Sequence, residues 1–390
     1  MIAGHLQEKK GYYYAVLSYT DAFGNRKTKW VASNLPVKGN KKRAEKFLME
    51  TRCSFVCEEP PSVDDDILFA DYIEQWLDII KSSVAMPTYA SYCAAVKNII
   101  APHFREKGIM LKKLSAKDIQ DFYLKKLKQV SASSVIHYHA NIHSALKHAV
   151  KMDLIDVNPA DKVERPKKAR YTGSFYDADE INAVFKAAEG SALEIPVLLG
   201  AFYGLRRSEV VGLKWDAVDF EQNTIIIRHT VTSCCIDGKR ILVASDSTKT
   251  ASSMRTLPLV PFVKERLLAC KARQEENRRL CGGSYNKEYL AYVCVNEIGD
   301  LIKPQYLTSA FPTLLKANGM RHIRFHDLRH SCASLLLKNG VPMKQIQEWL
   351  GHSDFSTTAN IYAHLDYSSK ISSAQAMENG LSLAVSENSR

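Results

Sequence analysis

The sequence predicts a multidomain, mostly helical chain. It comprises a small β-hairpin or sheet-plus-helix module at the N-terminus, an all-α domain of four helices, and an α+β, mainly helical domain with a small β-sheet. Three observations carry this reading. At 390 residues the chain exceeds what one ordinary core organises. Two stretches rich in proline and charge, EEPPSVDDD near residues 58–66 and NPADKVERPKKARYTG at 158–173, read as linkers. On either side of them, hydrophobic spacing switches between β-like runs and helical steps of three and four.

The first segment, GYYYAVLSYTDAFGNRKTKWVAS, holds two β-rich runs, Tyr12 to Tyr19 and Arg26 to Ala32, around a turn containing Asp21, Gly24 and Asn25. Lys41 to Met49 follows as a short basic helix. From Ile67 to Val157 four amphipathic runs succeed one another: FADYIEQWLDIIK, YASYCAAVKNIIAPHF, SAKDIQDFYLKKLK and SSVIHYHANIHSALKHAVKM. Ser115 is placed to cap the third, and four such helices form a compact bundle. The fourth carries His137, His139, His143 and His148, with His139 and His143 one turn apart. No HExxH carboxylate accompanies them, so polar contacts, including contacts to a phosphate backbone, are expected there in place of a metal. Past the second linker, Asp177 to Glu189 and Ala192 to Phe202 read as helices, and TIIIRHTV, KRILVAS and RTLPLV as strands. The remainder is largely helical.

Hydrophobic residues at 46% and charged residues at 24% exclude a disordered or membrane-embedded chain. No apolar run reaches the roughly 18 residues that span a bilayer, and the N-terminus lacks a stretch of signal-peptide character. A bacterial, cytoplasmic location follows as the expectation. Nine cysteines, an odd number without paired CxxC spacing, fit a reducing compartment, and Cys53 and Cys57 have no second pair nearby to complete a zinc site. The net charge of +11 favours a polyanionic partner. Ten Lys and Arg against four Asp and Glu fall within the first 50 residues. Lys27, Lys29, Lys41, Lys42 and Arg43 are the candidate DNA contacts of that module.

The third domain holds four short clusters that answer one chemical problem, transfer of a phosphodiester. A tyrosine hydroxyl can attack phosphorus and divide the reaction into two steps through a covalent intermediate. With a free pKa of about 10 it needs help at neutral pH. Charge developing on the non-bridging oxygens calls for a metal ion or fixed cationic donors, and arginine suits the second route through its planar, permanently charged fork. FYGLRRSEVVGLKW supplies Arg206 and Arg207, with Glu209 one turn on; RFHDLRHSCASLLL supplies His326 and Arg329, three apart. The departing 5′ oxygen needs a general acid, and Lys249 in DSTKTASSMRTLPL, a hairpin tip between two strand-like runs, can be one. LGHSDFSTTANIYAHL supplies His352 and, ten residues later, Tyr362. Each cluster alone is unremarkable, because arginines at helix starts and lysines in turns are ordinarily solvated surface residues. Spacing alone also leaves Arg206 and Arg207 equivalent.

Taken in order, Arg206, Lys249, His326, Arg329, His352 and Tyr362 resemble the catalytic set of tyrosine recombinases, and the chain is similar to phage-type and conjugative-transposon-type integrases of that family. The resemblance covers nearly the whole chain. It implies an arm-site DNA-binding module at 1–57, a helical core-binding domain at 66–160, a catalytic domain at 172–380 and a tail at 381–390. It selects Arg206 over Arg207 and makes Tyr362 the nucleophile that forms a 3′-phosphotyrosyl link. Arg206, Arg329 and His352 become phosphate ligands, Lys249 the general acid, His326 an aid to proton transfer or phosphate positioning, and Glu209 a support for the arginines. No metal, ATP or other cofactor is implied. The implied partners are double-stranded DNA attachment sites, core and arm, three further copies in a tetramer on DNA, and DNA-bending accessory proteins or an excisionase. Two linked DNA-binding domains raise affinity through effective concentration. A type IB topoisomerase or hairpin-forming resolvase shares the chemistry, and an inactive DNA-binding regulator shares the scaffold; a basic N-terminal module and six filled catalytic positions speak against them.

Overall fold

A computed structural model describes residues 3–20, 26–54, 67–168, 175–246 and 254–351, with 374, 377, 378 and 381. Lys249, His352 and Tyr362 lie outside the described residues, and Lys27 is described in its backbone alone. The fold is mostly helical with small sheets. It divides into two units, Met1–Asp78 with Ala95–Pro166, and Ile79–Ala94 with Lys167–Arg390. Among the described residues no helix is long and apolar enough to cross a membrane.

The first unit begins with three antiparallel strands, β1 (Ala3–Lys9), β2 (Tyr12–Thr20) and β3 (Arg26–Pro36), in the order β1-β2-β3, followed by α1 (Lys41–Ser54). The expected hairpin is β2 and β3. The additional strand, AGHLQEK, is polar and exposed along most of its length, so hydrophobic periodicity could not mark it. Its connection could have done so: Lys10 and Gly11 both take positive φ, 53° and 81°, the geometry of a tight hairpin turn.

The helices α2 (Phe69–Ile80), α3 (Met86–Ala95), α4 (Ala101–Glu106), α5 (Ala116–Leu127) and α6 (Ala132–Lys151) follow. The expected second helix is α3, a π-helical turn at Val96–Ile100, and α4 in unbroken succession. Pro102, which cannot donate to the preceding turn, sits just past the π segment that absorbs the mismatch. Ser115 caps α5 in a reciprocal box with Asp118, as the sequence anticipates. Phe69, Phe104 and Phe122 meet edge to face or tilted at 4.9 and 5.4 Å in the core. Three of the four histidines of α6 make internal polar contacts: His139 Nδ1 lies 2.8 Å from the Tyr123 hydroxyl, His143 Nε2 2.8 Å from Asp161, and His148 Nδ1 3.0 Å from the Tyr72 hydroxyl.

Besides nearly all of α3, the second unit contains α7 (Ala178–Ala188), α8 (Glu194–Phe202), α9 (Arg207–Gly212), β4 (Val218–Asp219), β5 (Thr224–Ile227), β6 (Thr230–Ile236), β7 (Lys239–Ser245), β8 (Arg255–Pro258), α10 (Pro261–Cys281), α11 (Pro304–Ala317), α12 (Asp327–Lys338) and α13 (Met343–Leu350). Asp177 and Glu180 form a second capping box at α7. The run TIIIRHTV, expected as one strand, is two: β5 joins β4 and β8 in one sheet, and β6 pairs with β7 in another. The strands flanking Lys249 therefore pair away from each other, which corrects the expectation of a single hairpin closed around that lysine. Tyr203, Leu328 and Phe311 are fully buried in the core of this unit, where Phe311 meets Phe325 edge to face at 5.6 Å.

Candidate active site

The site is assembled where α9, β8 and α12 reach the C-terminal end of α13. Gly204, with φ +63°, makes the turn from α8 into α9; a Cβ there would stand 2.4 Å from Leu350 Cδ2, so only glycine lets the two segments approach. Arg206 then caps α9. Its backbone N–H donates to Glu209 Oε2 at 3.0 Å, and its Nη1 to Oε1 at 2.6 Å. Arg207 diverges and donates to the Thr308 hydroxyl at the surface. Geometry thus separates two adjacent arginines that spacing left equivalent.

Arg329, at the third position of α12, is 2% exposed. Its Nη1 donates to the Gly204 carbonyl at 2.6 Å and its Nη2 to the Leu350 carbonyl at 2.7 Å. Burial and the nearby positive charge of Arg206 push its pKa down to about 9, which leaves it charged at neutral pH. His326 stands immediately before the first residue of α12. Although it keeps an exposed edge, crowding by the protein and by the charges of His330 and Arg329 pushes its pKa down to about 4, so the imidazole is neutral at pH 7.

A fourth residue was not anticipated from the sequence. Arg255, the first residue of β8, donates from Nε to the Trp349 carbonyl at 2.8 Å and from Nη2 to Glu209 Oε2 at 3.0 Å. It shares the inward face with buried Leu257, two residues on. An arginine in register with a core leucine was the available signal.

Three guanidiniums from three separate elements therefore take three successive carbonyls: Arg255 on Trp349, Arg329 on Leu350 and Arg206 on Gly351, the last at 2.8 Å. These are carbonyls that the end of a helix leaves without partners, and they carry its negative pole. Gly351, with φ +69°, closes α13 in a left-handed cap and hands the chain to His352. Glu209 is 2% exposed and bonds two of the three arginines. Burial opposes its ionisation, but the charges of Arg255 and Arg206 and their hydrogen bonds hold the carboxylate below its usual range. Among the described residues no group of three His, Cys, Asp or Glu is arranged to hold a metal.

In the N-terminal module Lys29 lies exposed on β3, and Lys41, Lys42 and Arg43 lie exposed on the first turn of α1. No acidic residue shares that turn. Cations at the positive pole of a helix oppose its dipole, so their placement does not serve the helix.

An integrase-like fold built around clustered arginines defines the class. The phage integrase family matches residues 174–369, and the phage integrase SAM-like domain residues 68–165. A tyrosine recombinase XerC-like protein of Caldanaerobacter subterraneus subsp. tengcongensis is 28% identical over 77% of this chain and 80% of its own length. The ICEBs1 integrase of Bacillus subtilis is 25% identical over 85% of this chain and 88% of its own. Among solved structures, the Tn1549 transposon integrase in complex with a circular intermediate DNA superposes with a TM-score of 0.64 at 17% identity, covering 79% of this chain and 98% of that one. A lambda integrase tetramer bound to a Holliday junction gives 0.55 at 18%, covering 90% and 95%. These structural likenesses are of fold. The chain belongs to the phage integrase family and is a tyrosine site-specific recombinase.

Proposed function

We propose that this recombinase cleaves and rejoins duplex DNA through a 3′-phosphotyrosyl link on Tyr362, integrating and excising a mobile element. The observation that carries the reading is the convergence of Arg255, Arg329 and Arg206 on the carbonyls of residues 349 to 351. Guanidiniums charged at neutral pH thus hold the residues just before His352, on the segment that leads to Tyr362.

In this mechanism Arg206 and Arg329 clamp the scissile phosphate and His352 donates a further hydrogen bond. As the phenolic oxygen of Tyr362 bonds to phosphorus, it gives up its proton to solvent, with His326 assisting that transfer or positioning the phosphate, and the bond to the 5′ oxygen breaks. Lys249 protonates that oxygen, leaving a 5′-hydroxyl. Attack by a 5′-hydroxyl of the partner duplex runs the same steps in reverse. Bond energy is held in the phosphotyrosine, so the chemistry needs neither ATP nor a metal. Glu209 acts on the arginines and not on DNA.

Residues 1–57 bind arm sites through Lys27, Lys29, Lys41, Lys42 and Arg43, residues 66–160 bind the core site, and residues 172–380 carry the chemistry. One protomer cleaves one strand, and exchange of four strands calls for a tetramer on two sites; the tail contributes to that assembly. DNA-bending proteins or an excisionase set the direction. A nicked suicide substrate containing the attachment core tests the proposal. An adduct that survives SDS, forms in EDTA and is absent in Tyr362→Phe is expected. An adduct that persists in Tyr362→Phe, or strict dependence on a metal, overturns it.

A further inference from the structure

The β6–β7 ladder ends at its open side with the pair Thr230 and Ser245. One step beyond, His229 and Asp246 continue the register through their side chains, with His229 Nδ1 2.5 Å from Asp246 Oδ1. His229 is buried and Asp246 is exposed. A carboxylate can only accept here, so Nδ1 donates to Asp246, and Nε2 lies 3.0 Å from the Tyr292 hydroxyl. Both ring nitrogens are paired, as a buried imidazole requires.

The imidazole is itself backed by rigid structure. Gly212, at the end of α9, approaches so closely that a Cβ there would lie 2.7 Å from the His229 carbonyl oxygen and from Thr230 Cα. The strand base is thus pressed on the helix that Arg206 caps. Tyr292 is fixed by the Lys214–Tyr292 bridge and by backbone bonds from Trp215 to Ala291 and from Val293 to Leu213. Lys214 Nζ lies 3.8 Å from Asp246.

Asp246 stands three residues before Lys249, while Arg255, the next anchored residue described, stands six after it. Three residues of chain reach at most about 11 Å, and six about 22 Å, so the Asp246 anchor is the tighter restraint on where Lys249 can be. We propose that Asp246, pinned by His229, is a positioning residue for Lys249, fixing the origin of its segment against α9 and hence against Arg206. The inference rests on the reading of Lys249 as the general acid.

The test uses the full-length protein and two suicide substrates, one with an ordinary scissile phosphodiester and one with a 5′-bridging sulfur. A thiolate departs without protonation far more readily than an alkoxide, since thiols ionise near about 8.5. Because Asp246 is exposed, its variants should fold. Asp246→Ala is expected to slow cleavage of the phosphodiester 10- to 100-fold, to cleave the sulfur substrate within about threefold of wild type, and to be largely rescued by Asp246→Asn, whose side-chain oxygen still accepts from His229. In a Lys249→Ala background, Asp246→Ala is expected to add no further loss on the phosphodiester. A full additive loss in the double variant, or equal losses of Asp246→Ala on both substrates while Lys249→Ala is rescued by sulfur, overturns the positioning role. Failure of sulfur to rescue Lys249→Ala instead overturns the reading of Lys249 as acid, and the double variant still decides whether Asp246 acts through it.

Discussion

Glu209 and Arg255 form an ion pair 3.0 Å apart in which both side chains are almost wholly withdrawn from solvent, 2% and 7% exposed. The same carboxylate bonds Arg206, so one buried anion sets the positions of two cations. Removing one partner of such a pair leaves an uncompensated buried charge. Glu209→Ala is expected to destabilise this unit by about 3–5 kcal/mol, with Glu209→Gln less severe because hydrogen bonding survives. Thermal melts of the two variants measure the difference.

The same pair makes a pH prediction. The folded pKa of Glu209 lies below its unfolded value of 4.5. Its contribution is therefore fully present above about pH 4.5 and is lost as pH falls through the folded value. Stability measured between pH 6 and pH 3 should fall more steeply for wild type than for Glu209→Gln; parallel curves would contradict the assignment.

Gly204→Ala combines a positive φ with a Cβ placed 2.4 Å from Leu350 Cδ2. Strain alone amounts to about 1–3 kcal/mol. Because the clash is with the last residue of α13, covalent-adduct formation should drop by more than the loss of folded protein explains. Adduct yield per folded molecule, with folding followed by circular dichroism, checks this.

Arg329→Lys retains charge but loses the fork that reaches Gly204 and Leu350 together. Cleavage of a suicide substrate should fall about 100- to 1000-fold, the usual consequence of losing one oriented donor to a developing oxyanion. Arg207→Lys, whose guanidinium meets Thr308 at the surface, should stay within severalfold of wild type.

Lys41, Lys42 and Arg43 yield a prediction with two signs. Substituting each by glutamine should lower the salt slope of arm-site binding by about 0.9 for every DNA phosphate that is no longer neutralised. The same changes relieve cations at the positive pole of α1 and should raise the stability of the module slightly, by about 0.3–1 kcal/mol. Binding titrations at several salt concentrations and melts of the same variants read both.

How much of this was legible in the sequence depended on whether a feature is local. The cap of α5 was readable because Ser115 and its partner Asp118 stand three residues apart. The arginines of GLRRSE and HDLRH were readable because each sits in a dense motif. Arg255 was not, since a single arginine opening RTLPLV gains meaning only from Glu209, 46 residues away. TIIIRHTV looked continuous because strand propensity says nothing about partners; β5 and β6 separate because β8 claims one and β7 the other. For the same reason the lysine expected at a hairpin tip lies between strands of two sheets.

The three arginines at the end of α13 all grip main-chain oxygens: Trp349, Leu350 and Gly351 each offer a carbonyl. Every amino acid has that atom. Substitutions at 349 and 350 can therefore erode packing without removing an acceptor, whereas a change at any of the three arginines removes a donor outright. Mutational tolerance at this junction is thus one-sided, with the gripping side chains irreplaceable and the gripped positions 349 and 350 open to drift.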